Sequence, residues 1–396
     1  MSPQQRSLRG ERLARLLLSA IVEPGDARLP PLLEQYGAED LLGLIRTGGP
    51  GHSLPQVWTR RAVTADDRVQ QAIRRARSSA TRWVCPGDSE WQHRLGDLDH
   101  VGVINRVGGA PLGLWVRGSC ELGALTETSV AVVGARNATT YGSDVAGELA
   151  ADLADAGATV VSGAAFGIDS YAHRGALALA RPTAALLACG ADIDYPRAHS
   201  ALLSRIAGSG LVASEQLPGE RPTKARFLSR NRLISALTTG TVVVEAAVRS
   251  GALNTLNWAT ELGRVAMGVP GPVTSQASVG VHQVLRQGQA ILVTSGSEVL
   301  EAVGPPGNRD TTPPRAAESV LDRLPEGMRV VLEAVPVLGA EPAAMIADRV
   351  GCTGDVAETV LGALREHGWV EYAGGGWRLS RRADLSPAEP VRTVSR

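Results

Sequence analysis

The segment RPTKARFLSRNRL (residues 221–233) carries five cations, Arg221, Lys224, Arg226, Arg230 and Arg232, and no acid. Phe227, one of two phenylalanines in the chain, sits among them, and Asn231 separates the last two arginines. Proteins hold single-stranded nucleic acid with a cationic groove along the sugar–phosphate backbone and with aromatic rings on which bases stack. Such stacking contributes roughly 1–3 kcal/mol per base, and the cations add a salt-dependent term. The same residue types also describe a solvated basic loop with Phe227 tucked into the core.

Three glycine-bearing loops supply further anion-ready groups. GARNATTYG (134–142) offers Gly134, backbone N–H groups, hydroxyls and Arg136 just before a helix N-terminus, an arrangement suited to phosphate. It is not GxGxxG, so the dinucleotide fingerprint is absent. SGAAFGIDSYAHRGAL (162–177) opens with Ser162 and Gly163 and enters a helix near Asp169, an expected cap. EAAVRSGALNT (245–255) places Ser250 and Gly251 at the start of another helix. Any one of these reads as an ordinary strand-to-helix turn; three meeting at one sheet edge point to a ligand site. Asp169 and His173, four apart, share a helix face and form a candidate acid/base pair, with a cap and a structural hydrogen bond as the competing roles. No nucleophile elbow GxSxG and no carboxylate pair at catalytic spacing is evident, so the expectation is a protein that is not an enzyme.

The elements that must position these residues follow from apolar runs. VAVVG (130–134), TVVSG (159–163), TAALLACG (183–190), TVVVEA (241–246) and VAMGVPG (265–271) are short, β-branched or small, and separated by helical stretches. Runs of this kind fit strands buried on both faces of a parallel sheet. The fold class expected is α/β, an extended Rossmann-like doubly wound parallel sheet, spanning residues 76–303. Residues 1–75 read as a small helical (SAM-like) domain in which residues 29–45 form a loop, a break at Gly37 and a helix. Residues 83–118 read as a connecting region. Residues 304–318, rich in Pro and polar residues, read as a linker. Residues 319–380 read as three helices and a hairpin around Gly374–Gly376, a winged-helix domain, and 381–396 as a disordered tail. The candidate recognition helix of that domain (354–368) carries three acids, Asp355, Glu358 and Glu366, which suits protein contact better than duplex phosphate.

Composition sets outer limits. The formal net charge is zero, but affinity for nucleic acid follows local cation placement. Lys224 is the only lysine; with abundant Ala and Gly, the arginine excess reads as genome composition. No apolar run reaches the ~18–20 residues of a membrane span, and the N-terminal apolar residues recur at helical spacing, so a cytoplasmic protein without membrane contact is expected. Cys85, Cys120, Cys189 and Cys352 form no CxxC pair and no Cys/His cluster, so free thiols, no metal and no cofactor are expected.

Taken together, the motifs resemble the DNA-processing protein A family (DprA, also called Smf). That family shows GSRxxSxYG, SGxAxGID…AH…GAL, a YP loop, SE…P leading to F…RNR, VVVEA…SGxLxTA and VPG. Their counterparts here stand at 134–142, 162–177, 195–196, 214–218, 227–232, 242–255 and 269–271, collinear over about 170 residues. The resemblance implies a protein that binds single-stranded DNA, dimerises, and loads RecA recombinase onto DNA covered by single-strand-binding protein, notably in natural transformation. By matching position it implies phosphate contacts from Arg136, Arg197 and Lys224, a base stacked on Phe227, and a pocket shaped by Arg230, Asn231 and Arg232. Gly134, Ser162, Gly163, Ser250 and Gly251 would line the groove with N–H groups. Ile291 and Leu300, near the end of the α/β domain, would form the dimer contact. Ala135 and Thr139 replace usual serines, His282 and Gln283 depart from a GxN-like position, and Asp192 and Asp194 make the YP loop acidic.

Two other readings compete. A phosphoribohydrolase-type enzyme would hold a nucleoside monophosphate with Arg136 and the loops and use Glu245 in glycosidic cleavage. The cation cluster around Phe227 is what such a mononucleotide site does not need. A transcription regulator acting through the winged helix would need more cations than the few that helix 354–368 carries.

Overall fold

The computed structural model describes residues 3–48, 54–304 and 324–380, with side chains from residue 9 onward. The expected linker, from residue 305, and the expected tail, from 381, lie outside the described residues. The chain divides into two compact units, residues 1–311 and 312–396.

The first unit opens with four helices, α1 (Pro3–Ile21), α2 (Leu29–Thr47), α3 (Gln56–Ala62) and α4 (Ala65–Ser78). Residues 29–36 are helical rather than a loop. Pro30 and Pro31 sit in the first turn, where no intrahelical donor is lost, and Gly37 (φ 72°, ψ 172°) kinks the helix instead of starting it. The buried faces of these helices, with Leu18, Ile21, Leu41, Ile45 and Trp58, share one apolar cluster with Trp83 and Trp115 of the following sheet.

That sheet has nine strands: β1 (Thr81–Val84), β2 (Leu114–Gly118), β3 (Ser129–Val133), β4 (Thr159–Ser162), β5 (Thr183–Leu187), β6 (Leu211–Ser214), β7 (Gly240–Val243), β8 (Val265–Gly268) and β9 (Ile291–Leu292). Their spatial order is β1-β2-β6-β5-β4-β3-β7-β8-β9. The seven from β6 to β9 run parallel, and β3, β4, β5 and β7 are buried along their whole length, as their Val- and Ala-rich runs require. The sheet is therefore not wholly parallel: β2 pairs antiparallel with β6, and β1 with β2. The stretch read as a connector thus supplies an edge ribbon.

Helices α5 (Leu122–Thr126), α6 (Thr140–Asp155), α7 (Ile168–Ala178), α8 (Ser200–Ser209), α9 (Lys224–Leu237), α10 (Gly251–Glu261), α11 (Val279–Arg286) and α12 (Gly296–Val303) complete the unit. From β3 the chain builds outward through β4, β5 and β6, then returns to place β7 on the other side of β3. Strand order reverses between β3 and β7, and ligands of open α/β sheets bind beyond the carboxyl ends of the strands at such a switch point. The loops following β3 and β7 are those that carry Gly134, Arg136, Ser250 and Gly251. They are bonded to each other, Ala135 N–H donating to Glu245 O at 2.7 Å.

The second unit contains α13 (Glu326–Ala334), α14 (Ala343–Val350) and α15 (Gly354–Glu366), then β10 (Val370–Ala373) and β11 (Gly376–Leu379). Its core gathers Val331, Leu332, Ile346, Leu361, Leu364, Val370 and Trp377. The two strands pair antiparallel across Gly374 and Gly375, both at positive φ, as a two-residue hairpin turn of the primed type requires.

Candidate nucleic-acid interface

Helix α9 sorts the basic cluster by its own geometry. Thr223 caps it, its Oγ1 accepting from Arg226 N–H, and the helix then dives from the surface into the core. Arg221 and Lys224, before and in the first turn, are exposed, and neither has an acidic partner among the described residues. Arg226, next along, is held by Glu23 at 2.6 Å and Glu220 at 3.0 Å. Deeper still, Arg230 is buried and donates through Nη1 to the carbonyls of Gly163 (2.8 Å) and Leu186 (2.5 Å). Arg232 has no exposed surface at all; it grips Glu215 with two bonds (2.7 and 2.8 Å) and donates to Gly109 O and Ser229 O.

Of the three residues expected to shape the pocket, Arg230 and Asn231 line the groove although they are buried, and Arg232 lies wholly in the core, away from it. Arg230 and Arg232 turn inward, because a helix that packs one end against a sheet buries every side chain of its last turns. Asn231 follows them inward, its Nδ2 donating to Gly251 O (3.1 Å) and Asn254 Oδ1 (3.3 Å), which fixes the start of α10 against α9.

Arg136 leaves the loop after β3 and places its guanidinium 4.5 Å from the centroid of the Phe227 ring. A groove of about 1020 Å³ runs past this pair, lined among others by Gly134, Arg136, Lys224, Phe227, Ser250 and Gly251. Ser250 caps α10, its side chain accepting from Ala252 N–H at 3.3 Å. The loops carrying these groups pack closely. A Cβ on Gly163 would lie 1.9 Å from Arg230 Nη1, and Gly167 holds a positive φ of 72° where a Cβ would meet Ala135 O at 2.2 Å. Ser162, expected at the groove, is buried and donates to Val132 O inside the sheet. Arg197 is exposed at the start of a short 3-10 turn, outside the residues that line the groove.

Asp169 is buried at the junction of two loops, where it accepts from backbone N–H groups of Ala165, Gly134 and Gly163. Burial pushes its pKa up, while the charge of Arg230 and these N–H groups oppose the shift. The cap of α7 is Gly167, so Asp169 serves as a loop tie rather than as the cap expected. His173 does not meet Asp169. Its Nδ1 lies 2.8 Å from Thr183 Oγ1, whose hydroxyl donates to Val160 O, so the ring carries its proton on Nδ1. Burial, then Arg230 and His199, depress its pKa to about 3. Glu245 is buried as well, and its carboxylate accepts from Thr139 N–H (2.9 Å) and Thr139 Oγ1 (2.6 Å). A carboxylate committed to the first turn of α6 is not presented to the groove.

The sequence reading passed over Phe166 as an aromatic, although it is the other phenylalanine and stands within a glycine loop. It is 47% exposed and packs edge-on to His199 at 4.7 Å. Tyr195 of the YP loop lies 5.8 Å from Phe227, and the three rings border a small apolar slot beside Arg136. The acids of that loop are neutralised: Asp192 pairs with Arg75 and Asp194 with Arg117. At the far edge of the sheet, Ile291 of β9 is half exposed, whereas Leu300 of α12 is partly buried against the apolar core on its side of the sheet.

The four cysteines are free thiols. Among the described residues no helix is long and apolar enough to cross a membrane.

A family model described as DNA recombination-mediator protein A matches residues 83–304. The chain is 42% identical over 368 residues to the DNA processing protein DprA of Mycobacterium tuberculosis, covering 92% of this chain and 93% of that protein. With the protein Smf of Escherichia coli it shares 36% identity over 311 residues, 76% of this chain and 78% of the other. The solved structure of DNA processing protein A from Streptococcus pneumoniae aligns with a TM-score of 0.60 at 31% identity, over 74% of this chain and 96% of that one. The motifs, the switch-point groove and these matches agree, and the chain belongs to the DNA processing protein A family of DNA recombination mediators.

Proposed function

We propose that the switch-point groove holds single-stranded DNA, and that the protein delivers the strand to RecA recombinase as a homodimer on DNA covered by single-strand-binding protein. The observation that carries this reading is the cluster of Lys224, Arg136 and Phe227 at one crevice, two exposed cations and an aromatic ring beside helix N-termini. Unpaired cations release condensed counterions when phosphates bind, and glycine loops let a backbone approach closely. An exposed hydrophobic edge at β9, with Ile291 and Leu292, supports a two-fold contact there in which Leu300 takes part from α12. The second unit has the helix order of a winged helix; Asp355, Glu358 and Glu366 on α15 favour a protein partner for it over duplex DNA. The site of action under this reading is the cytoplasm.

The test is fluorescence anisotropy with labelled single-stranded and duplex oligonucleotides across a salt series. Tighter single-strand binding with a steep salt dependence supports the reading, and RecA filament formation on protein-coated strands is then the assay for delivery. Equal binding of both forms with a flat salt dependence rejects it.

A further inference from the structure

We infer that Arg106, at the tip of the turn formed by residues 104–107, is a further phosphate contact of the groove; the inference rests on the single-strand reading above. Ile104 and Val107 form a two-residue hairpin, each N–H donating to the other's carbonyl at 2.9 Å. Both central residues hold left-handed backbone, Asn105 at φ 52° and Arg106 at φ 66°. A primed turn of this kind accepts Asn at its first central position and is ordinarily completed by Gly at the second. An arginine there is strained, since its Cβ crowds the backbone in the left-handed region. Strain of this kind persists where the surroundings over-determine it, and it concentrates at ligand-contacting sites.

The surroundings here do over-determine it. Val107 bridges to Asp26, Gly108 N–H donates to Gly25 O at 3.1 Å, and Gly109 O accepts from Arg232 Nε at 2.9 Å. Ile104 and Val107 pack against the sheet core. The base of the turn is thus fixed to α9 by the buried Arg232–Glu215 pair, and α9 also carries Lys224 and Phe227. At the tip, Asn105 lines the same groove as Lys224 and Phe227, and Arg106 is exposed with no acidic partner among the described residues. Nearby Arg28 and Arg264, by contrast, are paired with Asp26 and Asp97. A strained, unpaired cation on a rigid support at the groove rim is suited to a phosphodiester group of the strand passing Lys224.

The test uses the full chain and a labelled oligothymidylate, comparing wild type with Arg106→Gly, Arg106→Lys and Lys224→Ala for affinity, salt slope and thermal midpoint. Arg106→Gly should weaken binding severalfold and flatten the plot of log K against log salt by about 0.7, the value of one single-strand phosphate contact. Its midpoint should hold or rise, because Gly takes up this φ without strain. Arg106→Lys should restore the slope. Wild-type binding and slope in Arg106→Gly, alongside loss in Lys224→Ala, would overturn the contact while leaving the groove reading intact. Weakened binding that comes with a lowered midpoint and no rescue by Arg106→Lys would also overturn it. Failure of wild type to prefer the single strand removes both.

Discussion

Arg136 covers one face of Phe227 at 4.5 Å, so the loop after β3 and the helix α9 are joined through a cation–π contact at the centre of the groove. That contact aims the guanidinium and limits base stacking to the ring's other face. Phe227→Ala should lose roughly 1–3 kcal/mol of binding to single-stranded DNA. Arg136→Ala should lose a salt-dependent share and also release the ring. The two effects should therefore not add: a double-mutant cycle in the same anisotropy assay should give a coupling of at least about 0.5 kcal/mol. Strict additivity would show that the stacked pair in the free protein has no part in binding.

Lys224 and Arg232 stand eight residues apart on one helix and should behave in opposite ways. Removing Lys224, exposed and unpaired, should leave the thermal midpoint unchanged and weaken binding while flattening its salt dependence. Removing Arg232 leaves the Glu215 carboxylate uncompensated in the interior, which costs about 3–5 kcal/mol. Arg232→Ala should therefore show first in the urea midpoint. If Arg232→Ala folds with wild-type stability and loses only affinity, the inward assignment is wrong.

This division was only half legible in the sequence. The alternation of apolar runs and helices announced the α/β body, because strands buried on both faces must be continuously apolar. The motifs around Gly134, Phe227 and Gly251, far apart in the chain, meet at one crevice. What the spacing of RPTKARFLSRNRL could not disclose was depth: charge is a property of residue type, but exposure depends on which turn of α9 meets the sheet. The edge strands β1 and β2 escaped for a related reason. They are four and five residues long, and β6, on which β2 pairs to join the ribbon to the sheet, lies about a hundred residues away in the chain, so local pattern carries little of that pairing. Phe166 was visible as a rare residue in a glycine loop, and its exposure was the missing fact.

Gly251 begins α10 and lines the groove, yet a Cβ built on it meets nothing within 4 Å. The protein's own packing therefore does not demand glycine there. Alanine is the better helix former by up to about 1 kcal/mol. Gly251→Ala should match or exceed wild type in thermal midpoint while binding single-stranded DNA more weakly, because the methyl takes space at the helix N-terminus that the strand would use. Unimpaired binding would place the strand away from α10.

His173 gives the fold an acid-sensitive component. Its folded pKa, about 3, lies below the ordinary value of 6.5, so the unfolded chain takes up a proton that the folded one refuses. The stabilisation is complete above pH 6.5 and falls away progressively as the pH drops from there towards 3. Protonation would put a positive charge beside the buried Arg230, and the N–H it adds at Nε2 would find no acceptor, since that atom is buried without a partner. A His173→Asn variant lacks this titrating group. Measured as urea midpoints at a series of pH values, its acid-side decline should be shallower than that of wild type by up to one proton per molecule. Parallel curves for the two proteins would mean that His173 opens to solvent before the fold is lost.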